Sequence, residues 1–291
     1  MSKAPSARLF FPSPSIASRV FVGVTRDTRG LVLSDRQRFN YYPATPMSLI
    51  SWFFEGAAHL VEECTDGKPS VLGPPLPRLS ISGPRRSPTI SWSPGPVHAM
   101  TVAFFPESLA RLIGTAPERL PGRSQALENV ATSLLLSVCQ MVMTDPGLEP
   151  FQRFAHLLEP LWTGPRASET RTVALMTDWV RSHIARAASS KPGRGMRQFQ
   201  RLIKTWTGQS NRELQLFART ERAFLLGVEG RAEGRLDLAG IAASAGYADQ
   251  SHLSREIRRV TGLSPGRLDE MIANEEPFWF YRLIAEQFGG W

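Results

Sequence analysis

Residues 237–267 read DLAGIAASAGYADQSHLSREIRRVTGLSPGR, and few local structures suit that order of residues. Asp237 is placed to cap a first helix whose apolar stripe is Leu238, Ile241, Ala242 and Ala245. Gly246 then supplies the left-handed residue that ends a helix, where a Cβ is penalised. Three positions on, Asp249 offers a carboxylate to the bare N–H groups of a second helix, predicted over residues 250–260. Leu253, Ile257 and Val260 recur at i, i+4 and i+7 and so face inward. Gln250, Ser251, Ser254, Arg255 and Arg258 are left outside, and each is a hydrogen-bond donor. A helix, a tight turn and a helix with such an outer face form a helix-turn-helix pattern, whose second helix lies in a DNA major groove. Taken alone, a solvated helical hairpin with a basic face would fit equally well.

The order of the residues separates the two readings. Gly246, Tyr247, Asp249, Ser251, Leu253, Arg255, Ile257, Arg258, Gly262, Ser264 and Pro265 fill the pattern Gly-aromatic-x-(Asp/Ser)-x-Ser-x-(Leu/Phe)-x-Arg-x-(Phe/Ile)-(Lys/Arg)-x-x-x-Gly-x-(Ser/Thr)-Pro without a gap. This stretch resembles the second helix-turn-helix of the AraC/XylS family of transcription regulators. A helix predicted over residues 196–206, with Phe199, Leu202, Ile203 and Trp206 inward, resembles the recognition helix of that family's first motif. Phe199 and Leu253 hold matching places 54 residues apart. Between the motifs, Ser210 and Glu213 form an S-x-x-E capping box that opens a spacer helix over residues 211–228. Arg212, Arg219 and Arg222 on that helix are expected to make surface pairs with Glu213 and Glu221. The chain departs from the family pattern before residue 196, where ARAASSKPGRG replaces a short Leu-Ala-rich helix closed by glycine.

Carried over position by position, the resemblance places base contacts on Arg197, Gln200 and Arg201 in the first motif. In the second they fall on Gln250, Ser251, Ser254 and Arg255. Arg and Gln suit that work because they bond bidentately to guanine and adenine edges. Lys204 and Arg258 are expected at phosphates, which fix register without carrying sequence information. A net charge of +8 agrees with a polyanionic partner, and residues 191–204 hold five basic side chains and no acid.

Ahead of these helices, residues 20–105 alternate short β-type runs (RVFVGV, RFNYY, SLISWFF, SVL, RLSIS, TISW, AMTVAFF) with turns rich in Pro and Gly. Prolines this frequent favour a sandwich or small barrel of short strands. The expected fold class is α+β: an N-terminal β-rich, cupin-like sensor domain with following helices, then an all-α domain carrying two helix-turn-helix motifs. The first spans residues 1–165 and the second 166–291, joined through a small, polar segment at 163–169. Amphipathic helices are expected over residues 124–143, with Leu127, Val130, Leu134, Val138 and Met141 as the stripe, and over 149–161. They either pack on the β-rich core or pair two subunits. A helix over 169–188 buries Val173, Met176, Trp179, Val180 and Ile184, and the aromatic cluster of residues 275–291 packs back on the helical domain.

Enzymatic chemistry finds no footing. His59 and His98 stand without an HxH or a carboxylate at metal-ligand spacing, Cys64 and Cys139 form no CxxC, and no G-x-S-x-G, Walker or Rossmann pattern occurs. No cofactor and no metal are expected. No apolar run approaches the ~20 residues of a membrane span, and the first residues lack a signal-peptide pattern, so the expected location is the cytoplasm. The β-rich half reads as a receptor, with Phe21, Tyr41, Tyr42, Trp52, Phe53 and Trp92 as candidate pocket residues. The resemblance implies double-stranded DNA and RNA polymerase as partners, with a small-molecule effector at that half. The alternatives are a dimerisation or protein-interaction module without an effector, and an enzyme using the β-rich half.

Overall fold

The computed structural model describes residues 6–65, 68–144, 149–161, 175–190, 195–234 and 237–288. It is β-rich first and helical after, and its internal contacts divide it into two units. One comprises Met1–Phe39, Met47–Pro84 and Ser91–Ala174; the other comprises Asn40–Pro46, Arg85–Ile90 and Leu175–Trp291.

The strands are β1 (Ser6–Phe10), β2 (Val20–Asp27), β3 (Phe39–Tyr42), β4 (Ser48–Glu55), β5 (His59–Thr65), β6 (Lys68–Pro75), β7 (Leu79–Ser82), β8 (Thr89–Trp92), β9 (His98–Phe104) and β10 (Gln125–Ala126). They form a six-stranded sheet in the order β1-β2-β9-β4-β7-β10 and a four-stranded sheet in the order β3-β8-β5-β6. Strand β6 carries Pro69, Pro74 and Pro75 and lies at an edge, where a missing N–H costs no ladder bond. Sequence reading missed strands β1 and β5 and placed β10 in a helix. In β1, SARLF pairs Ser6 with Asp27 and Phe10 with Gly23, and in β5 the polar HLVEECT carries too few apolar residues to signal a strand.

Helices α1 (Pro106–Leu112), α2 (Ser133–Thr144) and α3 (Pro150–Leu158) cover the core of this unit. Ile50 and Trp52 of β4 and Met100, Val102 and Phe104 of β9 pack with Leu109, Leu135, Cys139, Val142, Phe151, Phe154 and Leu158. Trp52 is fully buried, and its indole N–H donates to the Cys139 carbonyl at 2.9 Å. Burial also pushes the Cys139 thiol far above its ordinary range, so it stays protonated. Phe151 lies so close to Gly23 that a Cβ there would fall 2.1 Å from its ring; glycine admits α3 onto the sheet.

The helix expected over residues 124–143 is shorter than its apolar pattern suggests. Gln125 and Ala126 pair with Ile81 and Ser80 of β7, residues 127–129 form a 3-10 turn, and the Thr132 hydroxyl accepts from Leu135 N at 3.3 Å as α2 begins. Leu127 therefore lies outside the helix, and the buried phase becomes Leu135, Val138, Cys139 and Val142. Leu134 and Met141 are exposed at 58% and 42%. The proposed linker at 163–169 and the stripe residue Val173 lie outside the described residues.

The helical unit holds α4 (Met176–Ser189), α5 (Met196–Thr207), α6 (Asn211–Ala232), α7 (Leu238–Ala245), α8 (Gln250–Thr261), α9 (Pro265–Asn274) and α10 (Trp279–Phe288). Its core joins Ala223, Ile241, Ala242, Tyr247, Leu253, Ile257, Leu268 and Ile272 to Phe278 and Tyr281. The described aromatics of the closing segment pack back as expected: Phe278, Trp279 and Tyr281 are buried. Two candidate pocket residues belong here instead. Tyr41 stacks on Phe278 with centroids 4.5 Å apart, and Tyr42 meets Trp279 and Phe280 edge-on. The same unit includes a hydrogen bond from Ala44 N to the Val260 carbonyl and one from Gln209 Nε2 to the Pro46 carbonyl, at 2.8 and 2.9 Å.

Candidate nucleic-acid interface

Local chemistry builds the second motif. Asp237 accepts from Ala239 N at 3.0 Å and opens α7, and Gly246 at φ +83° closes it. Asp249 then takes the N-cap of α8 and accepts from His252 N at 2.6 Å. Leu253, Ile257 and Val260 are buried, whereas Gln250, Ser251, Arg255 and Arg258 are exposed and Ser254 is half-buried. No protein partner engages the side chains of these five among the described residues.

The first motif repeats the second at its exit more closely than at its start. Thr207 Oγ1 donates to the Ile203 carbonyl at 2.8 Å and accepts from Gln209 N at 3.2 Å. Thr261 Oγ1 donates to the Ile257 carbonyl at 2.9 Å and accepts from Leu263 N at 3.2 Å. Gly208 and Gly262 both follow in the left-handed region, at φ +74° and +83°. Next come Ser210 and Ser264, the N-caps of α6 and α9. The capping box read from Ser210 and Glu213 forms in full. Arg197, Gln200, Arg201 and Lys204 are exposed on α5, and their side chains also lack protein partners among the described residues. Residues 189–271, which span α5 and α8, match a family model described as a helix-turn-helix domain.

This region is an AraC-type helix-turn-helix domain.

The match marks residues 189–271 as a DNA-binding domain of the kind found in transcription regulators. No curated protein matches it. Solved structures similar to the chain include an apo variant of ToxT from Vibrio cholerae strain SCE256, at 15% identity and TM-score 0.38 over 89% of this chain and 98% of that one. ToxT from Vibrio cholerae O395 bound to (E)-4-(8-methylnaphthalen-1-yl)but-3-enoic acid matches at 14% and TM-score 0.37, over 93% and 100% of the two chains. Wild-type ToxT from strain SCE256 with an unsaturated fatty acid matches at 13% and TM-score 0.34, over 92% and 95%.

On the spacer helix, Glu213 and Glu221 have partners that sequence spacing did not reveal. Glu213 pairs with Arg86 at 2.7 Å, in addition to its capping bonds. Glu221 reaches the start of α4, where its carboxylate accepts from Met176 N at 2.8 Å and Thr177 N at 2.7 Å. It serves as the cap that Leu175, at the N-cap position itself, cannot provide. Burial holds the Glu221 carboxyl above its ordinary range against these hydrogen bonds. Arg219 pairs with Glu256 on α8 rather than with Glu213 or Glu221 of its own helix. Residues 37 to 45 positions apart make the last two contacts, which an i, i+4 rule cannot register.

In the β-rich unit, Trp52 is core and Phe53 is buried; Phe21 meets Phe105 edge-on and Trp92 tilts against His59. Among the described residues no group of three or more His, Cys, Asp or Glu could hold a metal ion. No described helix is long and apolar enough to cross a membrane.

Proposed function

We propose that α5 and α8 are the paired recognition helices of a sequence-specific regulator. Arg197, Gln200, Arg201, Gln250, Ser251, Ser254 and Arg255 meet base edges, and Lys204 and Arg258 hold phosphates. The observation that carries the reading is the state of these side chains. They stand on the outer faces of two helices with equivalent exits, and their hydrogen-bonding groups are unspent among the described residues. In this reading residues 1–165 form the receiving domain and 166–291 the DNA-binding domain of a cytoplasmic regulator that acts on RNA polymerase. A small molecule bound in the receiving domain shifts the affinity of the second for its operator. No enzymatic step is assigned.

Selection of bound fragments from random DNA by the full-length protein, at near-physiological salt, tests this directly. Two short blocks about 10 base pairs apart are expected. A single block would restrict base reading to one motif, and absence of enrichment with and without a metabolite mixture would overturn the proposal. A second reading of the N-terminal half, as a dimerisation module without effector, is favoured by one observation. Leu134 and Met141 lie seven residues apart on one exposed face of α2. A ligand-induced rise in melting temperature across a metabolite panel supports the effector reading. A dimer that Leu134→Ser disrupts, with no such rise, supports the other.

A further inference from the structure

Apolar packing alone locates a helix loosely. Leu253, Ile257 and Val260 bury the inner stripe of α8, but hydrophobic contact is non-directional and leaves rotation about the axis weakly fixed. Specific base contact needs more, because side chains must meet base edges within hydrogen-bonding distance. A directional contact between α6 and α8 is the pair of Arg219 and Glu256. Arg219 Nε donates to Glu256 Oε2 at 3.2 Å, and Nη2 donates to Oε1 and Oε2 at 2.8 Å each. Side-chain exposures of 26% and 18% shield the pair from much of the solvent.

The same arginine reaches the turn. Its guanidinium lies 5.4 Å from the centre of the buried Tyr247 ring, and a Cβ on Gly246 would stand 3.9 Å from its Cδ. His252 closes the network, edge-on to Tyr247 at 5.3 Å and with Nε2 3.4 Å from Glu256 Oε1. Spacer helix, turn and recognition helix thus share one guanidinium. Glu256 is also adjacent to Arg255, so the rotation it fixes is the rotation that aims Arg255. In the first motif the position matching Glu256 is Leu202, which can form no such pair.

We propose that Arg219 and Glu256 are specificity-determining positioning residues, which set the rotation of α8 and themselves touch no DNA. A bidentate guanidinium–carboxylate pair suits this role, since its geometry is fixed at both ends. The inference rests on α8 being a base-reading helix.

The test compares affinity for the selected operator with affinity for random DNA, using full-length Arg219→Met, Glu256→Gln and the double variant. Arg219→Met is expected to lower operator affinity about tenfold while random-DNA affinity and the salt slope stay unchanged. Glu256→Gln removes a negative charge, so simple electrostatics would raise both affinities together; the positioning role predicts a fall on the operator only. The double variant should be no worse than the more affected single one, because the two side chains act as a unit. Parallel losses on both DNAs with a shallower salt slope would make Arg219 a phosphate contact and overturn the proposal. So would an operator affinity restored by cooling a variant of lowered melting temperature, which would mean a structural loss only. Arg255→Ala serves as the control. If it changes the operator-to-random ratio while Arg219→Met does not, only this inference fails; if neither does, the base-reading role of α8 fails.

Discussion

The two helix-turn-helix motifs end alike and begin differently. Both recognition helices close on Thr-Gly-x-Ser with the same hydroxyl bonds and a left-handed glycine. At its start, α8 has the carboxylate cap of Asp249 and a preceding turn closed by Gly246, whereas α5 follows Gly195, which provides no side-chain cap. The tethers differ too. An ion pair with charge-assisted hydrogen bonds ties α8 to α6, while α5 is held through the buried Ile203 and through Trp206, over whose ring the Arg186 guanidinium lies at 4.2 Å. One motif is aimed by directional bonds and the other is held by apolar and cation–π contact, which tolerates sliding. The difference suggests a division of labour in which α8 supplies most of the sequence readout and α5 much of the electrostatic grip.

The largest expected effect tests whether the repeat extends into the core. Leu253 is 1% exposed, whereas its counterpart Phe199 is half-buried. Leu253→Ala should destabilise the fold by ~2–5 kcal/mol in urea unfolding, from lost transfer energy and the cavity left behind. Phe199→Ala should cost less despite the larger side chain removed. Equal losses would mean that α5 is as deeply seated as α8, and the contrast between the motifs would shrink to their caps.

Next in size is the effect on DNA. Arg255→Ala should cost ~1–3 kcal/mol on the selected operator and relax preference at one base pair, with little change on random sequence. Lys204→Ala should weaken all sequences alike and reduce the salt slope by about 0.9. Titrations at several salt concentrations separate the outcomes. A base preference that moves with Lys204, or a salt slope that falls by as much for Arg255, would undo the proposed division.

The start of each recognition helix gives a smaller, sharper comparison. Asp249→Ala removes the bond to His252 N and should lower stability by ~1 kcal/mol. Gly195→Ser offers α5 the hydroxyl it lacks and should raise stability by a few tenths of a kcal/mol. If neither change registers in thermal or urea unfolding, the ends of both helices fray in solution and the difference in their caps has no energetic consequence.

What could be read in advance divides along the same line. Asp237, Gly246, Asp249 and the period of Leu253, Ile257 and Val260 act within a few residues of themselves, so the second motif was legible residue by residue. The start of α2 was not, because Gln125 and Ala126 are drawn from the helical pattern by pairing with β7, some 45 residues earlier in the chain. Strand β5 was invisible for want of apolar residues, and Tyr41 and Tyr42 were read with the receptor half although they pack against the closing segment. Outward-facing residues were predictable from periodicity; the groups that aim them were not. Arg219 meets Glu256 across 37 residues and Glu221 caps α4 across 45, distances at which only the fold brings charges together.

The smallest effect concerns the leading helices, where the two motifs solve one problem in two ways. Asp237 caps α7 from its own N-cap position, exposed, whereas α4 borrows the half-buried Glu221 from the spacer helix. Burial raises the Glu221 carboxyl above its unfolded value and outweighs the hydrogen bonds that favour its ionised form. A carboxyl raised on folding holds its proton more tightly in the folded state. Its contribution to stability is therefore complete below the unfolded value of about 4.3 and declines as pH rises through the higher folded value. Glu221→Gln, which keeps an acceptor oxygen and cannot ionise, should flatten that decline. Urea unfolding of both proteins between about pH 4 and pH 7 should show the wild type losing ground to the variant as pH increases. A wild type that instead gains on the variant would mean that the amides of Met176 and Thr177 stabilise the carboxylate by more than burial penalises it. The borrowed cap would then favour the charged form, as an exposed N-cap carboxylate does.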